Sequence, residues 1–379
     1  MHFKDIIGLE IEKVFLRQIV ENNHLPHALL FLGPKGCGKL PLAIAFAQYI
    51  LCEQKQSNGA CGNCDNCQKA SRFIHPDIHF SYPIVGSKVN CDTFLSDWRS
   101  ALTNSPYLGY NQWMQLIGAE NKQGNINKEE CVNIIKKLSL KTFEASHKIL
   151  IMWLPEFLGK EGNRLLKLIE EPPEQTLFIL VAEDSEKILN TILSRCQLLK
   201  FSPLSDEAIA DEIIKKTNVG REKAISTAHL ANGDFNEALR LIHQKEGDYS
   251  SMFLDWLRKC YKGHGPEMVQ WVNQFADLGR ENQKQLILYG LHFLREYTLL
   301  KVAGLEKLRL TEKELETARN LTNVIAFDQV ETINNLLSDC HYYIERNANP
   351  KVLFLDASIQ MNQILKRKRP EKRFSGIKY

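Results

Sequence analysis

Two short stretches carry residue types and spacings that can do chemistry. The first is "GPKGCGKL", Gly33 to Leu40. Gly33, Gly36 and Gly38 allow backbone N–H groups to turn inward around phosphate oxygens. A helix starting at the end of the stretch adds partial positive charge there, and Lys39 adds a full one. Gly-x-x-x-x-Gly-Lys is the spacing of a phosphate-binding loop, normally completed by Ser or Thr, whose hydroxyl holds Mg²⁺. Leu40 has no oxygen to offer. The second stretch is "LCEQKQSNGACGNCDNCQ", in which Cys52 is followed after eight residues by Cys61, then by Cys64 and Cys67. Four thiolates at this spacing can surround one tetrahedral ion, and Gly59 and Gly62 permit the tight turns. Zinc bound by four thiolates is a closed, structural site with no open position for substrate or water.

An iron–sulfur cluster is the rival occupant. Bacterial ferredoxin runs continue Cys-x-x-x-Cys-Pro after the third cysteine, whereas "QKASRF" follows Cys67, so zinc is favoured. Four unliganded cysteines are the bland alternative, weakened by the specific spacing. Cys37, Cys91, Cys131, Cys196, Cys260 and Cys340 are scattered and read as plain core or surface residues.

Hydrolysis at a phosphate loop needs a second feature, an acidic residue at the end of a buried strand to hold Mg²⁺ and polarise water. The natural candidate is "KILIMWLPEF", which ends in Trp153 and Leu154. Glu156 lies beyond Pro155 and is not expected to replace the missing acids. Two losses at the two metal-holding positions read as an abandoned catalytic site.

The elements that must position these residues follow from periodicity. Through residue 202, short apolar runs alternate with amphipathic segments, the pattern of a parallel α/β sheet. "HALLFLG", "KILIMWL", "TLFILVAE" and a shorter "QLLKFSPL" read as strands. "LPLAIAFAQYILCEQ" reads as a helix with Pro41 in its first turn, where the missing N–H costs nothing. "GNRLLKLIEEPP" reads as a helix stopped by Pro172 and Pro173, and Glu170 and Glu171 are simply its last residues. From "SDEAIADEIIKK" onward the texture is helical. Leu286, Tyr289, Phe293, Tyr297 and Leu300 recur at helical spacing, as do Val330, Ile333, Leu337, His341 and Ile344, which predicts helix-packing surfaces. "VLFLDASIQM" is expected to be the last buried helix. Residues 85–127 carry no assignable motif and are expected to form a mainly helical insertion.

The 379 residues, 44% apolar and 25% charged, are those of an ordinary globular chain long enough for two or three domains. The net charge of +3 implies no partner. Residues 366–379 hold a net of +6, which leaves −3 for the remainder. This tail is a solvated end or a nonspecific nucleic-acid contact. No signal peptide and no membrane-length apolar run is visible, and cysteine usage does not resemble a secreted disulfide framework. A cytoplasmic location is expected.

"HALLFLGPKGCGK", the cysteine insertion, "HPDIHF", "NRLLKLIEEPP" and "TILSRCQLLKF" occur in an order that resembles bacterial clamp-loader AAA+ subunits, most of all those of the delta-prime type. The likeness covers most of residues 1–245. It implies a RecA-like α/β P-loop domain (1–202) with a zinc-binding insertion at 52–67, then a small helical lid (203–245). An all-helical collar domain that oligomerises (246–365) and the basic tail (366–379) would follow. The family's hetero-pentamer uses ATP to open a ring-shaped sliding clamp and place it on primed DNA, and delta-prime is its stationary member. The resemblance therefore implies other clamp-loader subunits, the clamp and primed DNA as partners, structural zinc as cofactor, and no intrinsic ATPase or polymerase activity. In "SRC", Arg195 matches the family's arginine finger, which reaches a neighbouring subunit's γ-phosphate. Ala182 or Glu183, and Asn236 with Arg240 one turn later, stand where relatives place polar and arginine sensors. Whether the loop of Gly33, Gly36, Gly38 and Lys39 still binds ATP without hydrolysing it is left open. The alternatives are an active P-loop ATPase with unusual metal ligands and a zinc-dependent DNA-binding module. Few basic or aromatic residues beyond Lys69, Arg72 and Phe73 flank the cysteines to support the module.

Overall fold

The computed structural model describes residues 1–120, 122–243, 249–303, 310, 312–322, 324–346 and 348–366. Apart from Lys366, the basic tail lies outside the described residues. The chain divides into two compact units, Met1–His243 and Gln244–Tyr379.

Five parallel strands organise the first unit: β1 (Ala28–Leu32), β2 (Ile78–Ser81), β3 (Lys148–Trp153), β4 (Thr176–Ala182) and β5 (Gln197–Lys200), in spatial order β2-β3-β4-β1-β5. The three central strands are continuous apolar runs because both faces of the sheet are covered. Alternation sorts their side chains. Leu29, Phe31, Ile149, Ile151, Ile179 and Val181 join one core layer, and Ala28, Leu30, Leu150, Met152, Phe178 and Leu180 join the other. The four strands expected from apolar runs are present. The edge strand β2 is an addition: "IHFS" is four residues long and alternates apolar with polar, so it carries no continuous run.

Helix α1 (Glu10–Glu21) precedes β1, and α2 (Lys39–Leu51) follows it, buried along its entire length. Next come α3 (Asp65–Ser71), α4 (Leu95–Asn104), α5 (Tyr110–Leu116) and α6 (Lys128–Ser139). The side chain of Asn127 caps α6, accepting from the backbone N–H of Glu130 at 2.9 Å. "NRLLKLIEEPP" is not one helix. A 3-10 run, Pro155–Leu165, is broken at Gly159 (φ 50°, ψ −136°), and only Leu166–Glu170 forms α7. Then follow α8 (Asn190–Leu193), α9 (Asp206–Thr217), α10 (Arg221–Ala231) and α11 (Phe235–His243). Ser205 caps α9 through Ala208 N–H at 3.2 Å.

Insertion 85–127 is anchored by aromatics. Tyr82 stacks on Trp98 at 4.1 Å between ring centroids, and Trp98 meets Trp113 edge-on at 5.1 Å and Trp153 at 5.3 Å. All four rings are buried.

Every described element of the second unit is a helix: α12 (Tyr249–Lys262), α13 (Gly265–Asp277), α14 (Arg280–Ala303), α15 (Glu312–Leu321), α16 (Phe327–Glu345) and α17 (Pro350–Lys366). The expected stripes face inward over most of their length: Leu286, Tyr289, Phe293 and Tyr297 on α14, and Val330, Ile333, Leu337 and Ile344 on α16, are buried, whereas Leu300 and His341 are half-buried. "VLFLDASIQM" lies in α17, whose Phe354 stacks on Phe275 at 3.6 Å while Ser358 accepts from Trp256 Nε1 at 2.9 Å.

Candidate nucleotide and metal sites

The loop between β1 and α2 turns as its glycines demand, each for its own reason. Gly36 (φ +68°) and Gly38 (φ +95°) adopt left-handed backbone that other residues resist. A Cβ on Gly33 would lie 2.6 Å from Phe201 O, and one on Gly36 would lie 1.8 Å from Asp234 Oδ1. The loop's interior is filled by the chain itself. Lys39, 5% exposed, folds back and donates to the carbonyls of Gly33 at 2.8 Å and Pro34 at 2.5 Å, with Cys37 Sγ at 3.6 Å. Leu40 is core.

Two remote segments close over this loop. From the turn before α11, Asp234 lies against Gly36, and Phe235 N–H donates to Gly36 O at 3.2 Å. Burial pushes the Asp234 carboxyl up, opposed by a hydrogen bond from Glu237 N–H and by the charge of Lys35. From the insertion, Tyr107 sits beside Gly38, accepts from Ile7 N–H at 2.9 Å, and meets Phe235 edge-on at 4.9 Å. The space left beside Gly36, Gly38, Lys39 and Glu183 is about 20 Å³, room for roughly one water. Neither Asp234 nor Tyr107 was expected here, and no local sequence signal announces either.

At the end of β3, the position where an acid would hold Mg²⁺ is Trp153, packed on Trp98. Leu154 is buried in left-handed backbone (φ 58°). Glu156 is engaged elsewhere: its Oε1 accepts the backbone N–H groups of Glu183 and, at 2.8 Å, Asp184. Of the sensor positions, Ala182 is fully buried, Glu183 borders the crevice, Asn236 approaches Gly109, and Arg240 pairs with Glu237 at 2.6 Å. A larger hollow of about 620 Å³ opens where the chain leaves β3 and β4, lined by Tyr110, Asn125, Phe157, Glu183 and Lys187 among others. Its lining comes from separate segments that no local sequence pattern brings together.

Arg195 follows α8. Its Nε donates to Glu170 Oε1 at 2.6 Å and its Nη2 bonds the same oxygen, while Nη1 donates to Thr191 O at 2.6 Å and Ser194 Oγ at 3.3 Å. The side chain is half-buried, not sunk in the core.

The four cysteines converge. Cys52 ends α2, Cys61 and Cys64 occupy the glycine-rich turn, and Cys67 lies on α3. Their sulfurs all lie within 4.8 Å of one another, with Cys61 and Cys67 Sγ at 3.9 Å. Sulfurs tetrahedral about zinc stand about 3.8 Å apart, given Zn–S bonds of about 2.3 Å, so the residues fit the ion. Backbone N–H groups aim at these sulfurs, Cys61 N–H at Cys52 Sγ (3.2 Å) and Asn63 and Cys64 N–H at Cys61 Sγ (both 3.4 Å). The bonds from Cys64 and Asn63 N–H draw the Cys61 thiol down to about 6, whereas burial pushes the Cys52 and Cys67 thiols up. His2 and Phe3 pack on Gly62 and Gly59 of the turn.

Comparison with known proteins places this assembly. The family described as "DNA polymerase III, delta subunit" matches residues 10–205, more than half of the sequence. The chain belongs to this family. Within the bacterial clamp-loader family it is delta-prime-like: it is 29% identical to the DNA polymerase III subunit delta′ of Bacillus subtilis over 60% of this chain and 57% of that one. It is 31% identical to the delta′ subunit of Haemophilus influenzae over 54% of this chain and 51% of that one. The DNA polymerase III subunit tau of Bacillus subtilis is 24% identical over 95% of this chain and 61% of its own length. The chain thus spans between half and two thirds of the length of these three relatives. Among the described residues, no helix is long and apolar enough to cross a membrane.

Proposed function

We propose that this chain is a non-hydrolysing, delta-prime-like clamp-loader subunit of the bacterial replicative polymerase. It works in a hetero-pentamer with ATP-hydrolysing subunits, on a sliding clamp and primed DNA. Residues 203–245 serve as the lid, 246–365 as the collar that joins the other subunits, and the 52–67 insertion as a structural zinc knuckle. The observation that carries this reading is the phosphate loop that keeps its turn while Lys39, Asp234 and Tyr107 occupy its interior and its approaches. The loss of both metal-holding groups at Leu40 and at Trp153–Leu154 supports it independently, because phosphoryl transfer depends on the ion that bridges the phosphates.

Chemistry in this account passes through Arg195, which acts in trans as an arginine finger. When water attacks the γ-phosphorus held by a neighbouring subunit and the bond to the β-phosphate oxygen breaks, charge grows on that leaving oxygen while the rest is spread over the γ-oxygens. A guanidinium stays protonated and offers a planar fork of donors to that charge. Zinc supplies no step. Bound by Cys52, Cys61, Cys64 and Cys67, it holds the end of α2 to α3.

The hydrolysis claim is tested on the isolated chain with Mg²⁺ and ATP. Turnover no greater than that of Lys39→Ala is expected. Steady turnover that Lys39→Ala abolishes would instead make this an active P-loop ATPase.

A further inference from the structure

Helix α7 ends at Glu170 because Pro172 and Pro173 cannot continue it, and the short α8 ends just before Arg195. These two chain ends bring the carboxylate and the guanidinium together. A guanidinium has five N–H donors. Four of the contacts it can make are already made inside this chain: two to Glu170 Oε1, one to Thr191 O and one to Ser194 Oγ. The pair is not sunk in the core, with side-chain exposures of 30% for Arg195 and 43% for Glu170.

We propose that Glu170 is a positioning residue that holds Arg195 in reserve, as a latch the phosphate of a neighbouring subunit must displace. This rests on the reading of Arg195 as a finger in trans. A γ-phosphate and a carboxylate seek the same donors, and two anions on one guanidinium repel each other, so engaging nucleotide requires the Glu170 contact to loosen. Because the pair is partly exposed it is weak enough to open, while the hydrogen bonds from Nη1 to Thr191 O and Ser194 Oγ hold the other edge of the guanidinium. The latch therefore sets how much nucleotide is needed to recruit the finger, not how fast the engaged finger works.

The experiment is steady-state ATP hydrolysis by the reconstituted loader, with clamp and primed DNA, carrying the parent chain, Glu170→Gln, Arg195→Ala or both changes. Glutamine keeps an oxygen acceptor at the position and removes the charge. Glu170→Gln is expected to lower the KM for ATP about threefold at low salt with kcat little changed. The effect should shrink toward nothing near 0.5 M salt, where charges are screened within a few ångströms. In the Arg195→Ala background the gain should vanish. An unchanged or raised KM for Glu170→Gln would overturn the latch, as would a KM shift that persists without Arg195. Normal hydrolysis by Arg195→Ala alone would instead remove the finger reading on which the latch depends.

Discussion

Lys39 shows most directly what the phosphate loop has become. This lysine is buried, and its ammonium donates to the carbonyls of Gly33 and Pro34. Its replacement by Met should therefore cost stability. Losing hydrogen bonds to a charged donor and leaving carbonyls unpaired costs about 1–3 kcal/mol, read from the midpoint of urea unfolding. ATP should leave the melting temperature of the isolated parent chain unmoved, since only a ligand of the folded state raises it. A Lys39→Met chain of undiminished stability, together with a parent stabilised by ATP, would show that the loop still receives nucleotide. The glycines, Lys39 and the missing hydroxyl at Leu40 were legible in the sequence because a phosphate loop is a local pattern. Asp234 and Tyr107 were not: they reach the loop through tertiary packing, and neither differs in its neighbourhood from an ordinary turn residue. Glu170 was legible only as the end of a helix, since its contact with Arg195 joins segments 25 residues apart.

At the scale of elements, the cysteine turn ties the end of α2 to α3, and α2 is the buried helix that follows the phosphate loop. Metal binding here should act as folding free energy. Purified protein is expected to carry about one zinc per chain, and a strong chelator or Cys64→Ser should lower the melting temperature by several degrees. Elemental analysis beside a thermal melt checks both, and a metal-free chain of unchanged melting temperature would contradict a structural knuckle. The cysteine spacing announced this element because four ligands lie within sixteen residues. The central strands were equally plain as continuous apolar runs. Strand β2 escaped notice because an edge strand is short and half polar. The run "NRLLKLIEEPP" has helical periodicity, yet Gly159 and the 3-10 turns ahead of it leave only five α-helical residues. Trp153 carried a double message. Its identity showed an aromatic where hydrolysis needs an acid, but only its contact with Trp98 reveals that the position belongs to the core.

At the level of the whole molecule, the chain forms two compact units, one built on a parallel five-stranded sheet and one helical and rich in buried aromatics. We propose above all that the first unit serves a nucleotide held by another chain. It is tested most directly by reconstituting the clamp loader with Arg195→Ala and measuring ATP-dependent loading of the clamp on primed DNA. Removing an arginine finger costs orders of magnitude at the site it serves, so loading is expected to fall about tenfold or more. Arg195→Lys should not rescue it, because an ammonium lacks the planar fork. Loading at the parental rate by the Arg195→Ala complex would rule out a role for Arg195 at a neighbouring nucleotide.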